Sequence, residues 1–176
     1  INYQNLYKIY DRISIARVRR LFNSHNFMQC IELLEKIVDL RFNKETYLNI
    51  CRSYYSWDNM DFENAYEYLT KADLSLVEII EIREKLKKNL KALGIIINSR
   101  SLNLKNCYIL ASLINNAMRK ADEYKYDDAI ARLYRSFERI AQVQLSRYDN
   151  ISSDGDISPL SEKNVSGEFI DYLKKT

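Results

Sequence analysis

The sequence predicts an all-α protein, and three observations carry that prediction. The 176 residues hold only three glycines, Gly94, Gly155 and Gly167, and one proline, Pro159. Only Gly94 precedes residue 150, and sheet proteins need many tight turns that draw on Gly and Pro. Before residue 150, apolar residues recur at helical spacing almost without interruption. Finally, one short pattern returns after polar turns: an aromatic at a helix start, a small residue three later and a leucine seven later. Phe27, Cys30 and Leu34 fit it, as do Phe62, Ala65 and Leu69, and Tyr126, Ala129 and Leu133.

The periodicity predicts a first helix over about 4–22, with Leu6, Ile9, Ile13, Ala16, Val18 and Leu21 facing inward. Asn23 to Asn26 is a turn. A second helix covers 27–41 and buries Ile31, Leu33, Leu34, Ile37 and Val38. A third spans 44–57 and a fourth 62–72. Asp73 to Ser75 punctuates the chain, and a fifth helix runs over 76–93 with Gly94 as its closing left-handed residue. Ile95 to Ile97 either continue that helix or form an extended link. A sixth helix covers 104–124 and a seventh 127–148. Asp149 to Gly167 collects Asn, Ser, Asp, Gly and Pro and reads as a mobile loop. Glu168 to Lys175 reads as one more short helix.

The recurring triplet places its three side chains on one stripe of a helix, where the small residue lets a partner helix approach closely. This is the logic of tetratricopeptide-like hairpins. The copies stand 35 and 64 residues apart, so the array is irregular.

Charge and composition narrow the function classes. Twenty-seven basic and 24 acidic side chains leave a net charge of +3, too weak a bias to argue for nucleic acid by itself. Cys30, Cys51 and Cys107 are widely spaced among apolar helical positions and read as reduced core thiols of a cytoplasmic protein. A single histidine, His25, excludes a multi-histidine metal site, and no cofactor is expected. No apolar run approaches the roughly 20 residues of a membrane span, and no signal peptide is visible. The chain opens Ile1-Asn2-Tyr3 without a methionine and reads as a piece of a longer protein.

Several residues are candidates for chemistry. Arg132, Arg135, Glu138 and Arg139 fall at i,i+3 and i,i+4 spacing on the seventh helix, flanking an apolar stripe of Ala129, Ile130, Leu133, Phe137, Ile140 and Ala141. They form either an intrahelical ion-pair face or an arginine cluster aimed at an RNA phosphate or a second subunit. Arg20-Leu-Phe-Asn-Ser-His25 matches the Arg-x(4–6)-His pattern of HEPN ribonucleases. Such a pair handles a 2′-hydroxyl proton and stabilises phosphorane charge. The bland alternative for His25 is a surface turn. Arg12, Arg17, Arg19 and Arg20 make the first helix basic, with Tyr3, Tyr7 and Tyr10 interleaved, as either an RNA contact or a solvated face. Lys85, Lys87, Lys88 and Lys91 read as a solvated face, and Trp57 as a core residue at a hairpin turn.

Three passages carry a resemblance. They are Arg20-Leu-Phe-Asn-Ser-His-Asn-Phe27 with Ile31-Glu-Leu-Leu-Glu35, then Tyr54-Tyr-Ser-Trp-Asp-Asn-Met-Asp-Phe-Glu-Asn-Ala65, and Tyr126-Asp-Asp-Ala-Ile-Ala-Arg-Leu-Tyr-Arg-Ser-Phe-Glu-Arg-Ile-Ala-Gln142. In order and spacing they resemble the helical C-terminal region of a CRISPR-associated type III accessory family. Its relatives combine a CARF domain, a helical linker and a HEPN ribonuclease domain. The third passage is the most specific, and the resemblance covers roughly residues 15–150.

The resemblance implies a hairpin linker over 1–100 and the first half of a HEPN-like bundle over 101–176. It implies a homodimeric parent that senses cyclic oligoadenylate through a CARF domain before residue 1 and cleaves single-stranded RNA without metal. The family's catalytic Arg-Asn…His segment would follow the Tyr126 helix, beyond Thr176, so no complete catalytic set is expected here. Arg132, Arg135 and Glu138 would then bind phosphate and orient that pair, and Arg20 with His25 would lie in the linker. Two alternatives stand beside this reading: a tetratricopeptide-like interaction scaffold without catalysis, and a relative whose nuclease site has decayed.

Overall fold

The computed structural model describes residues 3–37 and 43–145, and these fold as seven α-helices with no strand among them. In chain order they are α1 (Tyr3–Asn23), α2 (Phe27–Glu35), α3 (Lys44–Asp58), α4 (Phe62–Lys71), α5 (Ile80–Asn98), α6 (Leu102–Asp122) and α7 (Tyr126–Leu145). Each helix packs on the next, and the pairs α1/α2, α3/α4 and α6/α7 are hairpins. The expected loop over 149–167 and the short helix over 168–175 lie outside the described residues.

The three hairpins share one turn, built without glycine. His25, Met60 and Tyr124 each take a left-handed backbone, with φ of 63°, 63° and 60°. In each case this residue's N–H bonds the carbonyl three before it, and the next N–H reaches back five. The bonds run from His25 to Phe22 and Asn26 to Leu21, from Met60 to Trp57 and Asp61 to Ser56, and from Tyr124 to Ala121 and Lys125 to Lys120. This double closure is the Schellman ending, which satisfies carbonyls that a helix terminus otherwise leaves bare. The polar turns noticed in the sequence are therefore one device used three times.

The triplet that follows each turn does what its spacing predicts in the first two copies. Cys30, Leu34, Ala65 and Leu69 are fully buried. Cys30 donates through Sγ to the Val18 carbonyl at 3.5 Å, and Ser53 donates through Oγ to the Ala65 carbonyl at 2.7 Å. Such backbone approach is available only because the facing side chains are small. Cys30 and Cys51 are free thiols buried together. A hydrogen bond between them lowers the pKa of Cys30 and raises that of Cys51. The third copy departs: Ala129 is buried, but Leu133 is 42% exposed.

Several element limits differ from the sequence reading. The second helix stops at Glu35 rather than 41, and Lys44 Nζ donates to the carbonyls of Glu35 (2.8 Å) and Ile37 (3.1 Å) at its end. The fifth begins at Ile80, not near Leu76. Asp73 caps a short 3-10 turn over Leu74–Leu76, and the Arg83 guanidinium holds the Val77 carbonyl at 2.6 and 3.0 Å. Gly94 does not end α5. The helix continues through Ile95–Ile97 to Asn98, and a Cβ at Gly94 would sit 3.4 Å from the Tyr66 ring, an ordinary contact distance.

The core also differs from the expectation for α1. Val18 is buried and Leu21 half-buried, but Ile9, Ile13 and Ala16 are exposed, while Ser14 is buried. The packing seam runs along Ser14, Val18 and Leu21 instead of the more apolar row beside it. The Leu6, Tyr3 and Tyr7 side chains lie outside those described. Farther along, Tyr54 of α3 accepts a hydrogen bond from Asn89 of α5 at 2.6 Å, and burial raises its phenol pKa. Phe22 meets Phe27 and Tyr54 edge to face, and Phe27 lies tilted against Tyr54, joining the first hairpin to the second.

Two stability outcomes follow. Replacing Tyr124, whose side chain is exposed, by Gly removes left-handed strain and should raise stability by about 0.5–1 kcal/mol despite the added unfolded-state entropy. A thermal melt should shift upward by about 1–4 °C; an unchanged or lower midpoint counts against strain at that turn. Gly94→Ala should stabilise α5 by up to about 1 kcal/mol through helix propensity, and a clear loss would show that the Tyr66 contact is too tight for a methyl group.

Candidate functional site

The most elaborate polar construction in the chain joins the second and third hairpins. Asp58 closes α3 and is buried. Its Oδ2 accepts from Lys120 Nζ at 2.5 Å, and its Oδ1 accepts from Arg119 Nε at 3.1 Å and from Asn116 Nδ2 at 2.9 Å. Asn116 Nδ2 also reaches the Asp58 carbonyl at 2.7 Å. All three donors come from α6, at i, i+3 and i+4, so a single helix turn presents them together. One residue earlier on α3, Trp57 Nε1 donates to Ser112 Oγ at 3.2 Å, so the tryptophan is anchored at the hairpin turn as expected.

The network continues to the third turn. Lys120 Nζ lies 3.4 Å from Glu123 Oε2, which also accepts from Lys125 Nζ at 2.6 Å. That bond raises the pKa of Lys125. Glu123 and Lys125 line a cleft of about 410 Å³ with Asp122, Asn23, Ser24, His25 and Asn26. The first and third turns therefore face one another across this cleft.

This placement answers the sequence candidates in turn. His25 is half-buried at its left-handed turn position and faces Asp122, Glu123 and Lys125. The Arg20 side chain is exposed and is not among the residues lining that cleft. The two therefore do not line that cleft together. Arg132 is half-buried, with a buried Nε that has no partner, and its carbonyl accepts from Ser136 Oγ at 2.9 Å. Arg135 and Glu138 lie elsewhere on α7, in an exposed groove with Asp127, Ile130 and Tyr134. The three residues expected to act together are split between two faces. Among the described residues, Arg132, Arg135 and Arg139 form no ion pair with Glu138; Arg139 instead reaches Gln142 at 3.4 Å.

The seventh helix is turned from its expected orientation. Ala129, Arg132, Ser136 and Arg139 are the positions with least exposure, and they form the row that meets α6. The apolar stripe expected to face inward is open: Ile130 is 64% and Phe137 70% exposed, and Leu133 and Ile140 are exposed too. Cys107, expected in the core, is exposed on α6. Among the described residues no cluster of His, Cys, Asp or Glu is arranged to hold a metal ion, and no helix is long and apolar enough to cross a membrane.

Sequence reasoning missed the Asp58 cluster. The one signal available was Asn116, Arg119 and Lys120 at helical spacing on a face otherwise marked by Ile109, Leu113 and Ala117.

Comparison with known proteins finds two family models along the chain. A family model described as the Csm6 6H domain matches residues 10–97, and one described as the Csm6 HEPN domain matches residues 98–167. No curated protein and no solved structure matches the chain.

The Asp58 network has a measurable consequence. Asp58→Ala leaves the Lys120 ammonium, whose side chain is only 10% exposed, with only the longer 3.4 Å contact to Glu123 Oε2, and should cost about 3–5 kcal/mol in a urea titration. Lys120→Met should cost less, because Asp58 keeps Arg119 and Asn116 as donors. Equal losses would mean the two charges are not coupled as described.

Proposed function

The chain belongs to the Csm6 family of CRISPR-associated type III accessory proteins, and from that premise we propose that it is the effector half of a cyclic-oligoadenylate-activated, metal-independent endoribonuclease. The observation that carries the reading is the HEPN match over 98–167. It falls on the α6/α7 hairpin, whose second helix bears Arg132, Arg135 and Glu138.

In this reading a CARF domain ahead of the chain binds the cyclic oligoadenylate, and the hairpins of α1–α5 relay its state to α6 and α7. Two HEPN domains of a homodimer meet, and single-stranded RNA lies between them. Cleavage is an internal transfer. The ribose 2′-oxygen attacks phosphorus, the P–O5′ bond breaks, and the products are a 2′,3′-cyclic phosphate and a 5′-hydroxyl. One group takes the 2′-hydroxyl proton and another returns a proton to the leaving 5′-oxygen. A guanidinium stabilises the phosphorane's extra negative charge, where a fixed donor has its largest effect. The proton-transfer pair is assigned to the family's Arg-Asn…His segment, not to Arg20 and His25. Arg135, exposed and unpaired with Glu138, is the residue of this chain best placed to meet a phosphate. Arg132 and Glu138 are assigned to orientation of that site.

A second reading has its own support. Three hairpins closed by one turn type make a scaffold that needs no chemistry, and the tetratricopeptide-like reading would use its surfaces for a protein partner.

The test is RNA cleavage by the protein carrying this region, with and without cyclic oligoadenylate, in the presence of EDTA. The expected result is ligand-dependent cleavage that EDTA does not abolish. Arg135→Ala should lower it by about 100–1,000-fold, the range for loss of one positioned electrostatic donor. Absence of cleavage with correctly folded protein would leave the scaffold reading in place.

A further inference from the structure

We propose that Cys30 and Cys51 are a peroxide-sensitive dithiol, and that oxidation joins them in a disulfide between α2 and α3. The inference does not rest on the ribonuclease reading.

The two cysteines meet in the core of the first two hairpins. Both are buried free thiols, in one apolar cluster with Val18, Leu34 and Leu48. A buried free cysteine is ordinarily an inert, small apolar side chain. These two differ because their sulfurs are linked in a chain of hydrogen bonds. Cys30 Sγ donates to the Val18 carbonyl at 3.5 Å, so its own proton is committed. The bond between the thiols therefore runs from the Cys51 S–H to the Cys30 sulfur.

That direction gives the two sulfurs different roles. When Cys30 loses its proton, the Cys51 S–H stays on its sulfur and stabilises the thiolate, which holds the Cys30 pKa below the ordinary thiol value. Cys51 would have to give up the bond it donates, and burial opposes its charge as well, so its pKa is raised. Cys30 is then the attacking sulfur and Cys51 the resolving one. A disulfide needs its sulfurs about 2.05 Å apart. Thiols already in hydrogen-bond contact reach that by side-chain rotation and a small shift of α2 against α3.

The chemistry closes with a hydroperoxide as the oxidant. The Cys30 thiolate attacks one peroxide oxygen, the O–O bond breaks, and the released hydroxide takes a proton and leaves as water. Cys30 is now a sulfenic acid. The Cys51 sulfur attacks the Cys30 sulfur, the S–O bond breaks, and the departing hydroxide leaves with the Cys51 proton as a second water. The two thiols have given up two electrons and two protons, and the peroxide has taken up both. Access comes from the first hairpin. Helix α1 packs mainly on α2, and it supplies Val18, Ile15 and Leu21 to the cluster around the thiols. A helix held mainly by one neighbour opens locally at low cost, and hydrogen peroxide is small enough to enter.

The test treats the folded chain carrying Cys107→Ser with hydrogen peroxide, because Cys107 is the one exposed thiol and the only other cysteine. The dose is one that oxidises Cys107 in the unaltered chain. The expected product is a monomer lighter by two hydrogens, with the Cys30 and Cys51 peptides joined and separated again by dithiothreitol. Two thiols that still alkylate after denaturation, separate sulfinic or sulfonic acids, or a disulfide at dimer mass would each overturn the proposal. The roles are tested by adding Cys51→Ser or Cys30→Ser to that chain and trapping sulfenic acid with dimedone, after circular dichroism has shown both chains helical. Trapping should be at least about tenfold faster in the chain that keeps Cys30, as its thiolate is the more populated. Equal or reversed rates overturn the assignment of Cys30 as the attacking sulfur.

Discussion

A carboxylate buried at the end of a helix stays compatible with the fold only if donors meet it there, and at Asp58 every side-chain donor belongs to α6. Desolvating a carboxylate and an ammonium costs several kcal/mol each, and good geometry with extra hydrogen bonds is what offsets that cost. Asp58 has both. The arrangement fixes more than stability. An apolar seam tolerates sliding, whereas a carboxylate shared among Asn116, Arg119 and Lys120 accepts one axial position and one rotation of α6. The third hairpin is therefore registered against the second by charge, and everything on α7 inherits that register.

The same economy shapes the hairpins. A turn that needs a left-handed residue normally selects glycine, yet His25, Met60 and Tyr124 occupy those positions. The Schellman bonds on both sides outweigh a strain of roughly 1–2 kcal/mol at each site. The small residue three places into the following helix then permits close approach, and Ser53 against the Ala65 carbonyl shows the resulting distance. At Gly94 in α5 the Tyr66 ring lies 3.4 Å from where a Cβ would sit, an ordinary contact distance.

The seventh helix directs three different rows of side chains to three different surroundings. One row, with Ala129 and Ser136, locks onto α6 and holds Arg132 half-buried. Another carries Arg135 and Glu138 into an exposed groove. A third is apolar and open. The Glu123–Lys125 turn, at the start of that helix, lines a cleft together with His25 of the first hairpin.

The sequence by itself determined the helices, the hairpin pairing and the family. Scarcity of Gly and Pro, 3.6-residue periodicity and the Tyr126–Gln142 passage are local properties, and local properties are what a sequence displays. It also determined the buried triplets of the first two hairpins, because Cys30 and Ala65 mark close approach in any hairpin of that geometry. What only the tertiary structure decided was which row of each helix meets its neighbour. In α1 the seam follows Ser14 and Val18 and leaves Ile9 and Ile13 outside; in α7 it follows Ala129 and Ser136 and leaves Ile130 and Phe137 outside. Periodicity identifies an apolar face but not its partner, and where the partner of that face is not the adjacent helix, small and polar residues form the seam instead. The Asp58 cluster was hidden for the same reason: its members stand 58 to 62 residues apart, and a buried ion pair has no signature until the chain brings its two halves together.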